Sequence, residues 1–225
     1  MLAIVAAHLV MAGLLPLLSA RSHRTAFLVA AVPPTAALAW AFGHAPEALR
    51  GGIVRTTEWA PQLGLELSFR LDALALVMVV LVSGLGALIL AYSAWYFGSG
   101  HGHSGSEATR SAALLLAVAG AMLGLVLADN LLILYVFWEI TSIASFLLIG
   151  QSGESRENRR AAVQALLVTV FGGLAMLLGF VLLGEAAGTY QVSEIVADPP
   201  GGPIVTAALA LILLGAFTKS AQQPF

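Results

Sequence analysis

The chain has 225 residues, of which 59% are apolar and 10% charged, with a formal net charge of −2 and a mean hydropathy of +0.93. A soluble domain carries roughly 25% charged residues, so this composition excludes an ordinary soluble protein and marks an integral membrane one. No basic block exists for nucleic acid, and the lack of cysteine excludes disulfides, iron–sulfur ligation and thiol chemistry.

A helix needs about 20 apolar residues to cross the hydrocarbon core. Seven segments meet or approach that length: 2–20, 25–43, 72–96, 111–128, 130–150, 161–184 and 204–222. The first lacks a basic leader and is followed by more spans, so it reads as a transmembrane helix rather than a signal peptide. The loop from His44 to Arg70 differs in kind. Residues Leu63 to Leu71 alternate apolar and polar, which predicts a short β-hairpin on the membrane surface before the third span. Asp72 and Asp129 fall at span boundaries, where a carboxylate is solvated or caps a helix. His101-Gly-His103 has a spacing found at metal sites but lies in a Gly/Ser-rich loop with no third ligand nearby, so it reads as loop. The fourth and fifth spans are joined by Asp129-Asn130 alone, which predicts an antiparallel hairpin with a tight polar turn.

Arginine sets the orientation. Arg21, Arg24, Arg110, Arg156, Arg159 and Arg160 follow the odd-numbered spans, whereas Arg50, Arg55 and Arg70 share the one long loop opposite. The positive-inside rule places the amino terminus outside and Gln151–Arg160 in the cytoplasm, with Arg159 and Arg160 anchoring the sixth span. Thr169, beside Gly172-Gly173, reads as a site of close helix packing. The chain stops at Gln222-Gln-Pro-Phe225 straight after an apolar run, which reads as one piece of a longer protein. Pro224 is expected to break or kink that last helix.

Two charges stand out. Lys219 is the only lysine, and it sits inside the apolar run that begins at Pro203. A cation at the bilayer centre costs at least ~2.5 kcal/mol, so it should face protein or water and mark a pathway. Its expected counter-charge is Glu139, eight residues into the fifth span and thus roughly 12 Å deep. The plainer alternatives are a packing carboxyl bonded to Thr141 or Ser142, and a lysine snorkelling to the interface. No phosphate loop, nucleophile elbow or HExxH is present, so enzymatic catalysis has no support in the sequence.

The segment Leu127 to Gly150, with Phe137-Trp-Glu-Ile-Thr-Ser142 at its centre, resembles the antiporter-like subunits shared by complex I and cation/proton antiporters. Within that superfamily it is most similar to the large first component, the A subunit, of Mrp (Mnh) multisubunit sodium/proton antiporters. Ala165-Leu-Leu-Val-Thr-Val170, Gly188-Thr-Tyr-Gln-Val-Ser-Glu194, Gly215-Ala-Phe-Thr-Lys-Ser-Ala-Gln222 and Phe69-Arg-Leu-Asp72 carry the same resemblance.

The resemblance implies an all-α, polytopic bundle of about seven spans with a short extracytoplasmic β-hairpin, the first part of an inverted-repeat antiporter-like fold. Residues 1–110 would hold the first three helices and the 44–70 hairpin loop; 111–225 would begin the proton-translocating repeat. It implies that Glu139 and Lys219 are paired residues of the fifth and seventh helices, the glutamate tuning the lysine's proton affinity, and that Pro224 marks a break in the seventh. Gln223 departs from the phenylalanine expected before that proline. The implied role is a non-enzymatic component of a bacterial plasma-membrane antiporter, exchanging sodium or another monovalent cation for protons alongside other Mrp subunits, with no cofactor. The alternatives are a proton-pumping subunit of complex I or a membrane-bound hydrogenase, and a scaffold segment that transports nothing.

Overall fold

Apolar helices dominate the chain because hydrocarbon offers no partner for backbone polar groups, and an α-helix satisfies them within itself. The structure, a computed structural model, describes residues 1–17, 23–60, 65–96, 105–151 and 156–222. In chain order these form α1 (Leu2–Leu14), α2 (His23–Arg50), β1 (Ile53–Ala60), β2 (Leu65–Leu71), α3 (Ala73–Tyr96), α4 (Gly105–Leu127), α5 (Leu131–Gly150), α6 (Arg156–Ala187), α7 (Val192–Ala197) and α8 (Pro203–Lys219). Among the described residues, α2 to α6 supply five helices long and apolar enough to cross a membrane, and α1 and α8 are shorter apolar helices. The Pro224 break and the His101-Gly-His103 loop lie outside the described residues.

The contacts divide the chain into two units. The first holds Met1–Ile53 and Arg70–Leu127, that is, α1 to α4. Its core is built from small residues with a few large ones between: Ala12, Leu15, Ala26, Phe27, Ala30, Leu90, Ala94, Ala112 and Leu116. Small side chains let helix backbones approach where no hydrophobic effect drives association. Gly120 of α4 does this for His8 of α1, whose Cβ would lie 2.6 Å from an added methyl group. The His8 ring is fully buried, with Nδ1 2.8 Å from the Ile4 carbonyl.

Helix α2 outruns its expected end at residue 43 and continues to Arg50 through Pro33, Pro34 and Pro46. Each proline removes a helix hydrogen bond, yet the helix continues, with Ala37, Ala41 and Ala48 buried along that stretch. Gly52 stops it, at a φ of 83° and with its N–H on the Glu47 carbonyl. The two strands of the hairpin therefore occupy Ile53–Ala60 and Leu65–Leu71, in the later part of the loop that forecast it. Asp72 caps α3 through Oδ1, which accepts from Ala75 N–H at 2.9 Å, and it pairs with Arg70 at 3.3 Å.

The second unit holds Val54–Phe69 and Ala128–Phe225. Here the Asp129-Asn130 turn becomes a short extended strip. One edge bridges β2 at Phe69↔Ala128 and the other bridges Gln191 at Asn130. The strip's backbone groups find partners on both sides: Asp129 N–H bonds to Ser68, Leu131 N–H to Tyr190, and the Asp129 carbonyl accepts from Val192. Asp129 is buried, and its carboxylate accepts from Ser193 N–H at 3.0 Å and Ser193 Oγ at 2.7 Å. Asn130 caps α5, accepting from Leu132 and Ile133 N–H. The short helix α7, which has no apolar period to announce it, is fixed by these contacts.

Candidate functional site

Helix α5 carries Trp138, Glu139, Thr141 and Ser142 within little more than one turn, and all are buried or half-buried. The two hydroxyls sit three and four residues after Trp138, where a serine or threonine in a helix reaches back to the preceding turn. Both do so: Thr141 Oγ1 donates to the Trp138 carbonyl at 2.7 Å and Ser142 Oγ at 3.2 Å.

Lys219 is the last residue of α8, whose end is a glycine-type cap built without glycine. Gln222 N–H bonds to the Phe217 carbonyl at 3.1 Å, and Ala221 takes the left-handed conformation at a φ of 50°. A cation in the final turn is favoured by the helix dipole. The side chain of Lys219 leaves α8 and reaches α5. Its Nζ donates to Thr141 Oγ1 and Ser142 Oγ, each at 2.7 Å, and to the Trp138 carbonyl at 3.3 Å. It also lies 5.2 Å from the centroid of the Trp138 ring, within range of a cation–π attraction.

Glu139, which follows Trp138 on α5, is not among the hydrogen-bond partners of Lys219 Nζ, and the two form no ion pair within 4.0 Å. Its Oε1 is buried without a hydrogen-bond partner. The expected contact between Glu139 and Lys219 is not made, and the lysine is docked on hydroxyls beside Glu139 instead. The hydroxyls named as alternative partners for Glu139 serve Lys219 instead.

Helix α6 makes the arrangement possible through Gly172 and Gly173. A Cβ on Gly173 would fall on Glu139 Oε1, and one on Gly172 would fall on the Thr218 side chain. From the other side, a Cβ on Gly215 would lie 2.6 Å from the Gly172 carbonyl and 2.7 Å from Met176 Cβ. Further along α6, Gly179 meets the Ala208 carbonyl at 2.7 Å by the same measure. The close packing expected at Gly172-Gly173 is therefore present, with Thr169 spent on its own helix, donating to Ala165 and Leu166 carbonyls. Thr141 and Ser142 are the residues whose part sequence reasoning missed. Their only advance signal is the three- and four-residue spacing from Trp138.

Two family descriptions match the chain: "NADH:quinone oxidoreductase/Mrp antiporter, TM" over residues 128–225 and "NADH-Ubiquinone oxidoreductase (complex I), chain 5 N-terminus" over 59–103. The chain is 42% identical over 183 residues to the A subunit of the Na(+)/H(+) antiporter of Alkalihalophilus pseudofirmus, covering 78% of this chain and 22% of that one. To the A/B subunit of a probable K(+)/H(+) antiporter of Rhizobium meliloti it is 39% identical over 187 residues, covering 81% and 18%. Its fold matches a chain of the Mrp complex from Dietzia sp. DQ12-45-1b with a TM-score of 0.81 at 37% identity, over 99% of this chain and 24% of that one. A chain of respiratory complex I from Thermus thermophilus has the same fold, with a TM-score of 0.77 at 23% identity, over 95% and 42%. The chain spans about a fifth of the length of the curated relatives it matches.

Proposed function

Given that this multi-pass membrane chain belongs to the NADH:quinone oxidoreductase/Mrp antiporter transmembrane family, on the side of the Mrp A subunits, we propose that it works in a multisubunit antiporter. The antiporter exchanges cytoplasmic sodium, or another monovalent cation, for external protons across the bacterial plasma membrane. The names of the relatives support both sodium and potassium as the cation. In this reading the chain is a transporter component rather than an enzyme, its amino terminus lies outside, and other Mrp membrane subunits are its partners. Residues 111–225 begin the proton-translocating repeat, and Glu139 and Lys219 are its coupling pair.

The observation that carries the reading is the position of the sole lysine, half-buried on α8 with its Nζ bonded to Trp138, Thr141 and Ser142, the residues on either side of Glu139 on α5. Two unit charges about 4 Å apart interact by roughly 4 kcal/mol at an effective dielectric of 20, and less as they separate. Lys219 and Glu139 lie more than 4.0 Å apart, so a proton gained or lost at Lys219 changes the energy at Glu139 by less than that figure. That charge switch biases the neighbouring polar groups along a proton path.

The test uses everted membrane vesicles holding the full-length protein with its partner subunits and an acid-quenched dye. Sodium or potassium should collapse the pH gradient with the wild-type protein, and at least tenfold more slowly with Lys219→Ala or Glu139→Ala. Wild-type rates in both variants would refute the assignment.

A further inference from the structure

The proposed pair does not use the oxygens on which Lys219 rests. Thr141 Oγ1 and Ser142 Oγ each commit their hydrogen to the Trp138 carbonyl. Their lone pairs are then turned toward whatever donor approaches. Lys219 Nζ meets these two oxygens and the same Trp138 carbonyl. An ammonium has three donors and no acceptor, so three oxygens exhaust it. A neutral amine would bring two hydrogens and a lone pair, and to satisfy that lone pair one hydroxyl would have to turn its hydrogen away from the Trp138 carbonyl. Thr141 and Ser142 are each 3% exposed, so bulk water does not compete for them. The arrangement offers the charged lysine three acceptors without a carboxylate, and the neutral form only if a hydroxyl gives up its bond to the Trp138 carbonyl.

We propose that Thr141, Ser142 and the Trp138 carbonyl form a docking station for protonated Lys219, which competes with Glu139 for the ammonium. The proposal rests on the reading that Lys219 carries a proton. Both stations lie on α5 within one turn, so the flexible lysine stem can pass the charge between them while the helices stay in place. At the hydroxyls the ammonium leaves Glu139 unpaired; at Glu139 it leaves two oriented oxygens vacant. The hydroxyls are positioning groups that set how much of the time the two charges meet.

The titratable surroundings are sparse. Among the described residues, α5 offers Glu139 and, one turn before it, Tyr135. Helix α6 faces the site with Gly172 and Gly173, and its charged residues lie toward its two ends. Helix α8 has no other charged residue. A change in the pH profile on altering Thr141 and Ser142 therefore reports on Lys219 and Glu139.

The experiment measures initial antiport rates against pH in everted vesicles carrying the full-length protein and its partner subunits. The double variant Thr141→Val/Ser142→Ala keeps the shapes and deletes both acceptors. Losing two charge-assisted bonds should move the profile toward lower pH by on the order of one unit. Thr141→Ser with Ser142→Thr keeps both oxygens and should restore the wild-type profile. If the double variant does not assemble, each single variant carries the test with a smaller shift in the same direction. An unmoved profile, or one moved upward, in a variant that assembles overturns the proposal. Lys219→Ala in parallel separates the two claims. If it is active, the lysine's role fails; if it is inactive while the hydroxyl variants keep a wild-type profile, the docking station alone fails.

Discussion

Replacing Gly215 with alanine puts a methyl group where α6 leaves no room. The new carbon would lie 2.6 Å from the Gly172 carbonyl oxygen and 2.7 Å from Met176 Cβ. A tolerated C···O approach is about 3.3 Å, so α8 must retreat from α6 by roughly 0.7 Å. Neither obstacle is the loose end of a side chain, since one is backbone and the other a Cβ. Overpacking of this kind costs about 1–3 kcal/mol. Lys219 is one helical turn beyond Gly215, so the displacement reaches its side chain. Any part of that shift directed away from α5 stretches the 2.7 Å bonds to Thr141 and Ser142 and weakens them. The expectation is a melting temperature lowered by several degrees in detergent, together with a fall in antiport larger than the loss of assembled protein explains. Thermal unfolding and transport on the same preparations decide the matter. If Gly215→Ala melts at or above wild type, the contact is not the constraint described here.

Other positions give simpler tests. Asp129→Ala removes an acceptor of two bonds to Ser193. Bonds to a charged group are worth about 1.5–3 kcal/mol each, so hydrogen exchange should accelerate across residues 190–197 while Asp129→Asn has a smaller effect. Asn130→Ala deletes the cap that accepts from Leu132 and Ile133; it should cost about 1 kcal/mol and show as faster exchange in the first turn of α5. Gly120→Ala would press a methyl group to 2.6 Å from His8 Cβ, and it should lower thermal stability by about 1–3 kcal/mol. A neutral outcome there would mean that α1 shifts freely against α4.

The helices were legible because hydrocarbon demands long apolar runs, and seven such runs are present. Their ends were less so. Helix α2 runs on through Pro33, Pro34 and Pro46 to Arg50, a continuation that the prolines, as local breakers, give no signal of. Helix α7 is six residues held by Asp129 and its neighbours, so nothing in 192–197 alone predicts it. Glu139 and Lys219 were visible as costly charges in apolar surroundings. The docking of Lys219 on Thr141 and Ser142 was not, because hydroxyls in a membrane helix usually serve their own backbone. These two serve it as well, and their remaining lone pairs matter only when another helix delivers a donor.

The central claim is that Lys219 gains and loses a proton during transport, and Lys219→Arg tests it most directly. Arginine keeps the positive charge and the donors but does not deprotonate in proteins. In vesicles with equal amounts of assembled complex, the account predicts that Lys219→Arg falls to the antiport rate of Lys219→Ala. An arginine variant transporting at the wild-type rate would show that a permanent charge suffices, and would contradict the claim.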